Sequence, residues 1–261
     1  MKKYWTIFKL GIQNSVVYRM DTFLMFFSQI ISLIFLIYLW LSIYNQGGVI
    51  GDYSLASLIS YYVLTGFLAF TVGTQFVSWM TSDMIMNGEV SNYLLKPFNF
   101  LGDIFFTVLG GMVYKIPFYL IIVLTFLYFF PFSFDFRVIF YFVISIIISI
   151  LISFLIFYSV GLSSFYLESN FGINALFSWI AQLFSGMFIP LDILPEFFLK
   201  LADFLPFKFL AFVPVSVING RISPEDFYIY AIEGLIWIIM LFYLSQILWK
   251  RGIIKYESYG G

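Results

Sequence analysis

From Val138 to Tyr158 the chain reads VIFYFVISIIISILISFLIFY, without one charged residue and apolar on every side. About 20 such residues, rising ~1.5 Å each as a helix, cross the roughly 30 Å hydrocarbon core of a bilayer. The run extends to about Tyr166, and five further stretches share its character: Thr22 to Tyr44, Tyr53 to Met80, Ile104 to Phe130, Ile173 to Ile189 and Phe227 to Trp249. The expected fold is therefore an all-α polytopic membrane protein with six transmembrane helices in one transmembrane domain over residues 1–261. Strands of a membrane barrel alternate apolar and polar residues, and these runs do not.

Composition closes the other routes. The AVILMFWYC set makes up 62% of the 261 residues and charged residues 10%, with a mean hydropathy of +0.99. Soluble domains are nearer about 25% charged. A soluble enzyme and a disordered chain are excluded. Thirteen basic and 14 acidic residues give a net charge of −1, so no basic field exists to attract nucleic acid. The sequence has neither Cys nor His, which removes disulfides, thiolate nucleophiles and the commonest metal ligand and general base. No cofactor or metal site is expected in this chain. A signal peptide is not expected either. Its apolar core would be about 7–15 residues before a small-residue cleavage site, whereas the first run here is longer and ends in SIYNQGG.

With six crossings both termini share one face. That face carries eight basic residues and the opposite loops carry four, Arg137, Lys200, Lys208 and Arg221. The positive-inside rule puts the termini in the cytoplasm of a multi-pass protein of the cell membrane.

The connecting segments carry their own patterns. In residues 1–20, Trp5, Phe8, Ile12 and Val16 form one apolar stripe while Lys2, Lys9 and Gln13 fall away from it, which reads as an interfacial amphipathic helix. Residues 81–103 are the one substantial internal loop. Asn87-Gly88 is a turn signal there, and the short helix after Glu89 stops at Lys96-Pro97, because a residue before proline is pushed out of the helical region. That helix is either a docking element or a plain connector. The outer segment 190–226 is broken by Pro190, Pro195, Pro206 and Pro214 yet too apolar to be a solvated loop. It reads as two short helices that dip into the outer leaflet as a re-entrant hairpin.

Charges inside spans default to functional hypotheses. Lys115 lies near mid-bilayer in the third span and Glu233 some six residues into the sixth. Their depths differ by roughly 5 Å at ~1.5 Å per residue. They form a candidate intramembrane charge pair, although either could instead line a polar cavity. Pro117, Gly110-Gly111, Gly66 and Gly73 permit a kink or close helix approach, more often for packing than as gates, with the kinkable third span and the outer hairpin as candidate moving parts.

The internal loop reads GEVSNYLLKPFNF, with Gly88, Glu89, Leu94, Leu95, Pro97 and Asn99 in a GE-x(4)-LL-x-P-x-N arrangement. With this loop, the outer FIPLDILPEFFLKLADFLPFKFL segment and the C-terminal LWKRGIIKYESYGG, the chain resembles the six-span permease subunit of type 2 ABC exporters. The resemblance implies that the loop is a coupling helix docking an ABC ATPase subunit, with Glu89, Tyr93, Leu94, Lys96 and Pro97 as its contact residues. It also implies a second permease copy, or a related permease, as partner. No G-x-x-x-x-G-K-[ST] phosphate loop occurs in the sequence, so ATP and Mg belong to the partner subunit and this chain is no enzyme. An ion-coupled secondary transporter or channel subunit is the alternative, but it calls for a midplane polar cluster and often an internal repeat. An intramembrane hydrolase would need facing carboxylates, and Glu233 has no acidic partner at its depth.

Overall fold

A computed structural model describes residues 2–48, 50–94, 99–129, 136–167 and 169–256. Among them the regular structure is helical: α1 (Lys2–Val17), α2 (Arg19–Asn45), α3 (Leu55–Thr71), α4 (Phe76–Met86), α5 (Val90–Leu94), α6 (Phe100–Phe129), α7 (Phe136–Leu162), α8 (Phe171–Phe184), α9 (Glu196–Phe204), α10 (Phe212–Ile218) and α11 (Pro224–Lys255). Five segments are long and apolar enough to cross a membrane: Arg19–Asn45, Leu55–Met86, Phe100–Thr125, Phe136–Phe165 and Pro224–Lys255. The helix at the expected fifth span, α8, has 14 residues and reaches only about 21 Å at ~1.5 Å per residue.

The long helices alternate between two ends of the molecule. One, the loop end, gathers α5, the start of α6, and Tyr256 just beyond α11, whose hydroxyl lies 3.3 Å from that of Ser91. The other, the hairpin end, holds the starts of α3 and α11. Ser54 caps α3 by accepting the Ser57 N–H. Ser223 caps α11 by accepting the Asp226 N–H, with Pro224 at the first helical position and Lys255 in the last turn, each where the chain's exposed amides, its φ and the helix dipole favour it.

Between apolar helices in lipid, apolar burial contributes little. Close approach at small residues and buried hydrogen bonds decide the packing instead. α1 and α6 show this most fully. Tyr4 stacks on Phe106 at 5.0 Å, a methyl on Gly11 would strike the Thr107 carbonyl, and one on Gly110 would strike the Phe8 carbonyl. The contacts advance together along both chains, so α1 runs beside the first part of α6. Its buried side is Ile7 and Gly11, while Trp5 and Val16 of the expected stripe stay exposed. A polar cluster fixes the start of α8. Asn170 Nδ2 donates to Ser82 Oγ at 2.7 Å and Ser164 Oγ at 2.7 Å, tying α8 to α4 and the end of α7.

Two features of the helix arrangement matter for function. α6 continues as helix through Pro117. The interruption falls in the second span, at Val72–Gln75 between α3 and α4, where Val72 and Gly73 N–H both turn back to the Leu68 carbonyl and Thr74 Oγ1 bonds Ser153 Oγ of α7. The segment after α8 also reaches deep. Ser149, about midway along α7, donates to the Leu210 carbonyl at 3.1 Å, and Tyr61 donates to the Gly186 carbonyl at 2.6 Å. Residues 206–211 are buried throughout.

Candidate functional site

α4 ends in a Schellman turn. Gly88 has φ of +79°, Glu89 N–H reaches the Met84 carbonyl at 3.0 Å, and Gly88 N–H reaches that of Ile85 at 3.2 Å. Glycine suits this position because a side chain in the left-handed region is strained. The turn throws Glu89 outward, exposed, and starts α5. Val90 is fully buried, and Ser91 Oγ donates to the Gly88 carbonyl at 2.6 Å. Tyr93 is half-buried. Its hydroxyl donates to Asp103 Oδ2 of α6 at 2.8 Å, and its ring meets Phe100 edge-on at 5.1 Å. Burial first, then the Asp103 carboxylate, raises the Tyr93 hydroxyl well above its ordinary pKa, so it stays a donor. Phe100 in turn stacks on Trp249 of α11 at 4.7 Å and touches Tyr158 of α7.

The loop is thus wired into three long helices. Glu89 and Tyr93 are brought within one helical turn of each other, and Leu94 closes α5. Lys96 and Pro97 lie outside the described residues. Asp103 was missed by the sequence reading, although its place in the first turn of α6 within the 81–103 segment was the available signal.

The intramembrane pair is not Lys115 with Glu233. Glu233 Oε1 meets Lys208 Nζ at 3.0 Å, and Asp203 Oδ1 stands 3.5 Å from the same nitrogen. Lys208 also donates to the Asp203 carbonyl at 2.9 Å. Its side chain is 5% exposed, between the rings of Phe209 and Tyr230. Counting residues fixed the depth of each charge but not its direction. On α11, Gly234 beside Glu233 packs on Ile148 and Phe209, so this face looks toward α7 and the inserted segment rather than α6. A second pair closes the hairpin end. Arg221 Nη1 meets Asp192 Oδ2 at 2.6 Å, its guanidinium lies 3.4 Å over the Tyr53 ring, and Tyr53 donates to Asp192 at 3.0 Å.

Lys115 faces elsewhere. Its Nζ lies 5.8 Å from the Phe70 ring centre and 5.5 Å from that of Phe76, and it makes no ion pair among the described residues. It lines a cavity of about 520 Å³ with Gln29 of α2, Gln75 at the α3–α4 break and Gln182 of α8. Lys115 is 15 residues beyond Phe100, about 22 Å along α6 at ~1.5 Å per residue. A cation and three amides from four parts of the chain therefore share one open recess at the side of the apolar bundle, where Leu24, Met25 and Phe76 of its lining are exposed.

Long apolar helices with polar groups turned into a recess, and a loop wired to them at one end, define a multi-pass helical membrane protein. The chain belongs to the ABC-2 transporter family. The model described as "ABC-2 family transporter protein" matches residues 27–260, which takes in every candidate residue above. Among curated proteins none matches this chain. The family is a membrane transport component, so the chain is the permease component of an ABC transporter, with an ABC ATPase implied as its partner.

Proposed function

We propose that this chain is the membrane-spanning subunit of an ATP-driven ABC exporter. It forms half of a translocation path with a second copy or a related permease, and docks a separate ATPase through residues 81–103. ATP and Mg are held by that ATPase, which closes on nucleotide. The docked loop converts the closure into helix motion, and the path opens alternately to the two sides. Nucleotide shifts that equilibrium only through its different affinity for the two states.

The observation that carries this reading is the anchoring of α5. Through Val90, Tyr93, Asp103 and Phe100 a push on the loop reaches α6, α7 and α11 together. Glu89 is exposed for contact at the same place, and the resemblance adds Leu94, Lys96 and Pro97, which follow it in the sequence. A six-pass arrangement, with both termini cytoplasmic, fits the placement of Tyr4 beside Gly102 and of Tyr256 beside Ser91, both at the loop end. In it α8 and the turn after it make the fifth crossing, α9–α10 and the 206–211 segment are a re-entrant hairpin, and α1 is an interfacial helix braced on α6. The interruption at Val72–Gln75 supplies a moving part.

The test is copurification. Glu89→Lys combined with Leu94→Asp abolishes recovery of the ATPase subunit with this chain from solubilised membranes, while the variant keeps its own monodisperse elution. Undiminished recovery would refute docking through this loop.

A further inference from the structure

We infer that the recess around Lys115 is the seat of an anionic headgroup, and that the cargo is an anionic amphiphile whose tail runs toward the hairpin end between α2, α3 and α6. The inference deepens the proposed function, on which it rests.

Three observations lead to it. A lysine in the membrane interior without a counterion is costly, and such groups ordinarily pair or line a watered cavity. Lys208 in this same chain obeys that rule with two carboxylates; Lys115 has none among the described residues. The other polar side chains lining the recess are neutral, Ser28, Gln29, Gln75 and Gln182, among apolar ones such as Met25 and Phe76, and Gln29 and Gln182 also donate to the Gly66 and Ser178 carbonyls. Amides can donate to an anion without neutralising the lysine beforehand.

The second observation is the backbone. The interruption at Val72–Gln75 borders the recess through Gly73 and Gln75. Irregular backbone at membrane depth is tolerated only where it is buried in protein or lines a water-filled cavity. The break is itself buried at Val72 and Thr74, and Gly73 and Gln75 bring its backbone to the rim of the recess beside Lys115.

The third observation is what adjoins it. A groove of about 920 Å³ lies farther along α2 and α6, lined by apolar residues such as Leu33, Ile37, Ile59 and Ile122. Phe26 lines the groove and meets Phe70, which lines the recess, at 5.9 Å between ring centres. Polar seat and apolar groove are thus neighbours on the same helices, in the order of an amphiphile's head and tail. A small hydrophilic anion would use only the seat, and a neutral lipid only the groove.

The experiment measures binding of cis-parinaric acid, a fluorescent fatty acid, and of its methyl ester to the full chain in nanodiscs of a zwitterionic lipid. Lys115→Gln is expected to weaken the acid about tenfold or more, a loss of about 1.4 kcal/mol, and to leave the ester unchanged. Lys115→Arg keeps the acid bound. Oleate displaces the acid; oleyl alcohol, acetate and inorganic phosphate do not at equal concentration. Equal affinity of the wild-type chain for acid and ester, or of wild type and Lys115→Gln for the acid, overturns the inference. Displacement by acetate or phosphate as effective as by oleate overturns the tail assignment and leaves a seat for free anions. Recovery of the ATPase subunit, measured on the same variants, separates the two proposals. Docking that persists while acid binding fails leaves the proposed function standing without this cargo.

Discussion

Two lysines stand in apolar surroundings of this chain, and their neighbourhoods are opposite. Lys208 is reached by Glu233 from α11 and by both the carboxylate and the carbonyl of Asp203 from α9. Lys115 meets two aromatic rings and a recess lined with amides. The first region spends its charge joining two elements of its own fold. The second holds a charge toward a recess. A buried cation that staples elements together carries its counterions with it. One that serves a ligand does better with neutral donors, because a resident carboxylate would compete with the anion that is to bind.

The largest effect tests the stapled side. Lys208 is buried while Glu233 and Asp203 are 31% and 57% exposed, so Lys208→Met strands partly screened carboxylates and should cost about 2–3 kcal/mol, less than the about 3–5 of a fully buried pair. A melt followed in neutral detergent should fall sharply. Adding Glu233→Gln should restore much of the loss, since removing both charges of a buried pair is often nearly neutral. A single variant as stable as wild type would break the comparison, because Lys208 would then be no more structural than Lys115.

A smaller effect comes from the rim of the hairpin end. Arg221 and Asp192 are 26% and 32% exposed, so water and salt weaken their attraction. The guanidinium also covers Tyr53 and donates to the Asp52 carbonyl at 3.2 Å, which keeps the site above an ordinary surface pair. Arg221→Gln should cost about 1–2 kcal/mol, given that hydrogen bonds to charged groups contribute about 1.5–3 before screening. The cost should shrink as salt is raised, and more than that of Lys208→Met, whose cation is 5% exposed against 26% for Arg221. Equal salt dependence at both sites would erase the distinction between a buried staple and a rim contact.

The contrast also marks what the sequence could say. Uninterrupted apolar runs announced the long helices, because a bilayer demands length and apolarity and little else. Asn87-Gly88 announced the end of α4, since few residues adopt the left-handed φ that Gly88 takes. Direction was not legible. Residue counting put Lys115 and Glu233 at similar depths, but which neighbour each faces depends on helix rotation, which Gly234, Phe209 and Ile148 set through packing. Lys208 was counted among outer loop charges because four prolines marked its segment as broken. Its prolines and apolar residues marked the segment as re-entrant, but nothing local said that it packs at the level of Ser149. Pro117 permitted a kink in the third span, and α6 continues as helix through it, as neighbouring helices can accommodate a proline inside a membrane helix. The break instead lies at Val72–Gln75, where Thr74 finds Ser153 across the bundle.

The smallest effect is the most informative about the open side of the comparison. Lys115→Gln removes no ion pair among the described residues, and it relieves the cost of a cation within the membrane. Against it stand only the contacts of Nζ with Phe70 and Phe76, worth about 0.5–2 kcal/mol depending on how dry the site is. The two terms oppose each other, so the melt should move by less than about 1 kcal/mol, in contrast to the collapse expected for Lys208→Met. A loss on the Lys208 scale would mean that Lys115 is another staple whose partner lies beyond the described residues, and the recess would lose its claim to hold a ligand. A flat melt fits a lysine that the fold does not need for itself.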